Sequence, residues 1–162
     1  MFDADQKALD DFEKMLHDLY EHLQQFVKTL DAEKALLEQN KTTELDQSMS
    51  AKRLIIESLD KISFQCQSYF SNQSAYSEKG ILSIISHFPE GKQLYLTDLW
   101  KEIKTLLKTC DKKNLVNGVM ITTLKNYNDN MLSIITNRPK ESVYGNKYKN
   151  NQLAVSTREH KA

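Results

Sequence analysis

Leu9, Phe12, Leu16, Leu19, Leu23, Phe26 and Leu30 follow one another at spacings of 3, 4, 3, 4, 3 and 4 residues. An α-helix turns once in about 3.6 residues, so this alternation lays large apolar side chains along one narrow stripe. A stripe of that kind is stable only when another helix covers it. The chain is poor in turn-makers, with four glycines and two prolines in 162 residues. That argues against a sandwich or barrel of many short strands. No two glycines lie close together, which argues against a Rossmann or P-loop site. With a mean hydropathy of −0.59 and 40% hydrophobic residues, the chain can fill a thin core shared by long amphipathic helices.

The remaining segments fit an all-α fold. The first helix is predicted from about residue 3 to 38, taking in Leu36 and Leu37. Asn40 to Thr43 reads as a turn, and Thr43 with Asp46 resembles a capping box at the next helix start. A second helix is predicted over about 44–70, with Leu45, Met49, Ile55, Ile56, Leu59, Ile62, Cys66 and Phe70 facing inward. The short connection makes the first two helices antiparallel neighbours. Gly80 to Ile85 reads as a short apolar connector helix, about 80–87, ended by Phe88-Pro89-Glu90-Gly91. A long last helix is predicted over about 96–137, with Leu96, Leu99, Ile103, Leu106, Cys110, Lys113, Asn117, Met120, Leu124, Tyr127, Met131 and Ile134 on its seam. Arg138-Pro139 stops it, because the residue before a proline avoids helical geometry. The expected architecture is an elongated antiparallel three-helix coiled bundle over 1–138 with a short connector. The polar segment 139–162 forms a flexible tail, since it has too few apolar residues to offset an ordering cost of about 1–2 kcal/mol per residue.

Charge narrows the partners. The formal net charge is zero, which gives no general attraction to nucleic acid or membrane. It is unevenly spread: residues 1–46 carry twelve acids against five bases, and residues 125–162 carry seven bases against three acids. The acidic start has no signal-peptide pattern, and the longest apolar run, Gly80 to Phe88, is too short to span a bilayer. A cytoplasmic chain is expected. In that reducing setting Cys66 and Cys110, both on apolar helix faces, read as small buried thiols rather than a disulfide or metal pair.

Catalytic and metal-binding patterns are weak. His17 and His22 are five residues apart and so about 140° apart round a helix, which prevents them from sharing a metal. Glu13, His17 and Glu21 form a row spaced by four, but off the leucine seam, where charged rows are ordinary. No nucleophile elbow, phosphate loop or Cys-His pair is present in the sequence. A non-enzymatic protein without cofactor is expected.

The last helix holds the unusual residues. Asn114, Asn117 and Gly118 interrupt its middle, and a mid-helix glycine costs about 1 kcal/mol relative to alanine. Gly118 could allow close helix approach while Asn117 fixes register, or the pair could make a soft point at which the distal helix rearranges around a partner. Beyond it, Met120, Ile121, Leu124, Tyr127, Met131, Leu132, Ile134 and Ile135 cover more than one face. That surplus is either buried against two other helices or an exposed surface for an incoming amphipathic helix. Leu124, Tyr127, Met131, Ile134 and Ile135, with Val143 and Tyr144 of the tail, are the candidate binding residues.

Leu99-Trp100, Ile103, Leu106-Leu107, Cys110, Asn114 and Asn117-Gly118, followed by Tyr144-Gly145, resemble the flagellar export chaperone family of FlgN type. The shared pattern is a long helix with a Trp, a Cys-x3-Asn-x2-Asn-Gly core and a Tyr-Gly step. The turn after Ala35-Leu36-Leu37 and the connector ending at Pro89 also fit its layout. Lys147-Tyr148 departs from it, since a glycine often stands there in the family. The resemblance implies a chaperone that binds C-terminal helical segments of hook–filament junction proteins, keeps them unassembled and escorts them to the flagellar export gate. The residues themselves also allow a coiled-coil scaffold that self-associates, and its seams suit a monomer or a dimer.

Overall fold

A computed structural model describes residues 6–68 and 78–136, all-α among these residues, with four helices. The leucine stripe forms α1, Gln6–Glu38. Leu9, Phe12, Leu16, Leu23, Phe26 and Leu30 are buried on it, and Leu19 is partly buried against the same core. The spacing does not end at Leu30. Its next two slots are Glu33 and Leu37, and both are buried.

Asn40 turns the chain out of α1. Its φ of 53° lies in the left-handed region, which asparagine tolerates better than most residues. The Asn40 N–H donates to the Leu37 carbonyl at 3.1 Å and the Lys41 N–H to Leu36 at 3.0 Å. Together they form a Schellman stop, satisfying carbonyls that the helix end leaves free. The next helix, α2, starts at once and runs Thr42–Ser68. The Leu45 N–H already bonds the Lys41 carbonyl at 3.2 Å, so Thr43 lies inside the first turn. The expected capping box is therefore displaced by Lys41.

The inward face of α2 also differs from expectation. Leu45, Ser48, Lys52, Ile55, Leu59, Ile62 and Cys66 are covered in an unbroken alternation of threes and fours, with Ser58 and Ser63 partly covered beside them. Met49 and Ile56 stand exposed, each one position off that stripe and so rotated by about 100°. Phe70 lies outside the described residues.

The connector α3, Glu78–Ile85, buries Ile81, Ile84 and Ile85. Phe88 follows and packs its ring on Phe12, centroids 6.3 Å apart. The long helix α4 runs Glu90–Thr136 and starts six residues before the expected Leu96. Pro89, expected only to end the connector, also opens α4: its carbonyl accepts from Lys92 and Gln93 at 2.8 and 3.1 Å. A helix start leaves its first N–H groups unpaired in any case, so proline's missing N–H loses nothing there. The Gln93 side chain donates to the Phe88 and Ser86 carbonyls, at 2.7 and 3.2 Å, and fastens the connector's end to α4. The stop at Arg138-Pro139 and the tail lie outside the described residues.

Direction follows from the pairings. Glu33 with Lys52 fits the tight corner and sets α2 antiparallel to α1. Between α1 and α4 the partners advance in the same direction along both helices, from Glu13 with Lys92 and His17 with Tyr95 to Leu23 with Cys110 and Leu30 with Asn117. These two helices therefore run parallel, and the bundle goes up, down and up. The chain divides into two units, one ending at Ile121 and the other starting at Thr122.

Candidate partner-binding surface

Within the first unit, the Cys110 to Gly118 motif separates by face. Cys110 is buried, with Sγ 3.8 Å from the Leu23 carbonyl, and burial pushes its thiol pKa up. Cys66 is buried too, and neither cysteine is in a disulfide. Asn114 faces outward. Asn117 is 1% exposed, and its Nδ2 donates to the Leu30 carbonyl at 2.8 Å and to Glu33 Oε2 at 2.7 Å. Lys52 Nζ meets both oxygens of the same carboxylate at 3.2 Å.

Glu33 thus receives one neutral and one cationic donor, from α4 and α2. One polar layer joins all three long helices. A buried carboxylate is costly without such partners, so the layer specifies which helices meet and at what height. Sequence reasoning missed Glu33 and Lys52. The signal was the continuation of each 3–4 spacing into a slot held by a charged residue.

Gly118 does not serve close approach. A Cβ built on it meets nothing within 4 Å, so the expectation that it lets helices come together is overturned. The buried contacts between helices at this height come instead from Asn117.

The charged row on α1 engages α4. Glu13 pairs with Lys92 at 2.6 Å. The His17 and Tyr95 rings stack with centroids 5.8 Å apart, the Tyr95 hydroxyl 3.1 Å from His17 Nε2. Among the described residues no three His, Cys, Asp or Glu side chains are grouped to hold a metal ion. Among the described residues no helix is long and apolar enough to cross a membrane.

The second unit contains the described α4 residues from Thr122 to Thr136. Leu124 is half-buried there. Tyr127 and Met131 are exposed, and Ile134 and Ile135 are 73% and 74% exposed; Leu132 is exposed as well. The alternative of burial against two helices does not hold for Tyr127, Met131, Leu132, Ile134 and Ile135. Leaving such side chains in water forfeits about 1.5–3 kcal/mol each relative to full burial. Consecutive large apolar groups on one exposed helix form the kind of patch that marks an interaction site. Val143 and Tyr144 fall outside the described residues.

Compared with known proteins, residues 1–152 match the family model described as FlgN protein. No curated protein and no solved structure matches the chain. The family match covers the bundle, the polar layer and the exposed end of α4 together, and the chain belongs to the FlgN family of flagellar export chaperones.

Proposed function

We propose that this chaperone works in the cytoplasm, where it binds C-terminal helical segments of hook–filament junction proteins, prevents their premature assembly and delivers them to the flagellar export gate. The cargo helix lies on Leu124, Tyr127, Met131, Ile134 and Ile135, with Val143 and Tyr144 adding contacts from the tail. The exposed apolar end of α4 carries this reading. Methionine adapts to different partner shapes, and tyrosine supplies rigid contact area. A tail that orders only on binding subtracts its ordering cost from the affinity, which keeps the complex releasable. The chain acts by binding and not by catalysis.

Met131→Asp tests the site. Met131 is exposed, so the melting temperature of the free protein should stay within a degree or two. Affinity for a junction-protein C-terminal fragment should fall more than tenfold, a loss of about 1.4 kcal/mol. Full binding with full stability would move the cargo site elsewhere. A concentration-independent homo-oligomer that ignores the fragment on size exclusion would favour the self-associating scaffold instead.

A further inference from the structure

A groove of about 540 Å³ runs between α1 and α4 within the first unit, and no residue of α2 or α3 lines it. Its walls hold four lysines, Lys34, Lys108, Lys112 and Lys113, against one acid, Asp31. Lys113 is paired with Asp31, and Lys34 lies 3.6 Å from Glu38. Lys108 and Lys112 have no ion-pair partner among the described residues. They sit one turn apart on α4, a spacing at which like charges repel, so an anionic group set between them relieves the repulsion.

The floor is of another kind. Leu30 and Val116 are apolar. The Thr105 and Thr109 hydroxyls donate to carbonyls of their own helix at 3.0 and 2.9 Å, so they make no demand on an occupant. From Thr105 to Asn117 the α4 wall spans about 18 Å, or about three helical turns. An apolar floor with a cationic edge of that length matches one face of a short amphipathic helix whose flank carries carboxylates. A phosphate backbone fits less well: no aromatic residue lines the groove to stack bases, and Asp31 stands in its wall.

We propose that this groove is a second docking site, for an acidic amphipathic helical segment of the bound partner, with Lys108 and Lys112 reading its carboxylates. This rests on the reading above that the chain binds partner helices, and adds a charge preference to it. Exposed charges of this kind set selectivity and salt dependence more than total affinity.

The test uses the full-length protein and two labelled peptides of about 14 residues. Both carry the same leucine stripe; one has glutamates on its flanks and the other lysines. The acidic peptide should bind at least tenfold more tightly than the basic one, and the preference should shrink as salt rises. Lys108→Glu with Lys112→Glu should reverse it, with the Lys108→Gln, Lys112→Gln pair merely abolishing it. Both lysines are exposed, so circular dichroism should show the fold unchanged. Equal affinity for the two peptides, an unaltered preference in either variant, or equal displacement by single-stranded DNA would overturn the groove as a helix site. A junction-protein fragment measured alongside keeps the two readings apart: if Met131→Asp weakens it and the lysine variants do not, the proposed function stands and the groove falls.

Discussion

The seam of α4 behaves differently on its two stretches, although its spacing is the same throughout. From Leu96 through Leu99, Ile103 and Cys110 to Asn117 it is buried at nearly every step, closing on α1 and α2. From Leu124 through Tyr127 and Met131 to Ile134 it passes from half-buried to mostly exposed, while its residues become no less apolar. Periodicity reports that a helix has a face to cover; it does not report whether this chain or another one covers it. The last layer of the buried stretch is also the polar one, where Asn117 meets Glu33. Closed packing is thus fully specified on one stretch, and apolar surface is left available on the other.

Substitutions on the two stretches should separate sharply. The largest effect is expected in the closed bundle, where Phe12 is fully buried against Phe88. Phe12→Ala should destabilise by about 3–5 kcal/mol in urea unfolding, whereas Ile134→Ala should change stability by no more than about 0.5 kcal/mol. Comparable losses would erase the contrast.

Glu33→Ala comes next, at about 3 kcal/mol. It strands the Lys52 ammonium and the Asn117 amide, and breaking a buried pair costs more than the pair contributes. Replacing Glu33 and Asn117 by Leu and Lys52 by Met together should be nearly neutral or stabilising. If that triple variant unfolds as readily as Glu33→Ala, the layer is needed for stability and not only for choosing register.

Gly118→Ala is a smaller change, and its sign is informative. With nothing within 4 Å of an added Cβ, the variant should gain up to about 1 kcal/mol from helix propensity. If the fold gains that stability and cargo release slows, the glycine serves as a soft point; unchanged release would make it a tolerated surface residue.

The smallest effect concerns pH. Burial raises the Cys110 pKa, so the folded state holds its proton where the unfolded chain gives it up. Stability should fall as pH climbs past the unfolded thiol's value of about 8.5. Cys110→Ala should flatten that part of the curve, and thiol alkylation of Cys110 should track global unfolding.

Much of the fold was legible because helix stripes, turns and connector are local patterns. The α1 seam, the turn at Asn40 and the apolar run at Ile81, Ile84 and Ile85 each rest on residues within a few turns of one another. The α2 stripe was harder. Met49 and Ile56 are more apolar than Ser48 and Lys52, and hydropathy alone chooses the wrong pair. The start of α4 was misplaced because Pro89-Glu90-Gly91 has the composition of a turn, while proline is equally suited to open a helix. The exposed binding candidates were legible as a surplus of apolar residues, and the groove lysines were not, since Lys108 and Lys112 look like any solvated helix face.

By itself, then, the sequence determined that the described segments are helical, where the corner between α1 and α2 falls and which stripe of α1 is buried, because those depend on backbone geometry and neighbours at short range. The tertiary structure decided that Glu33, Lys52 and Asn117 share a layer, that Gly118 faces open space, and that four lysines edge one groove. Those outcomes turn on which residues stand at the same height on α1 and α4, helices whose paired residues lie 78 to 87 positions apart. A charge's cost or usefulness is set by what lies across that gap.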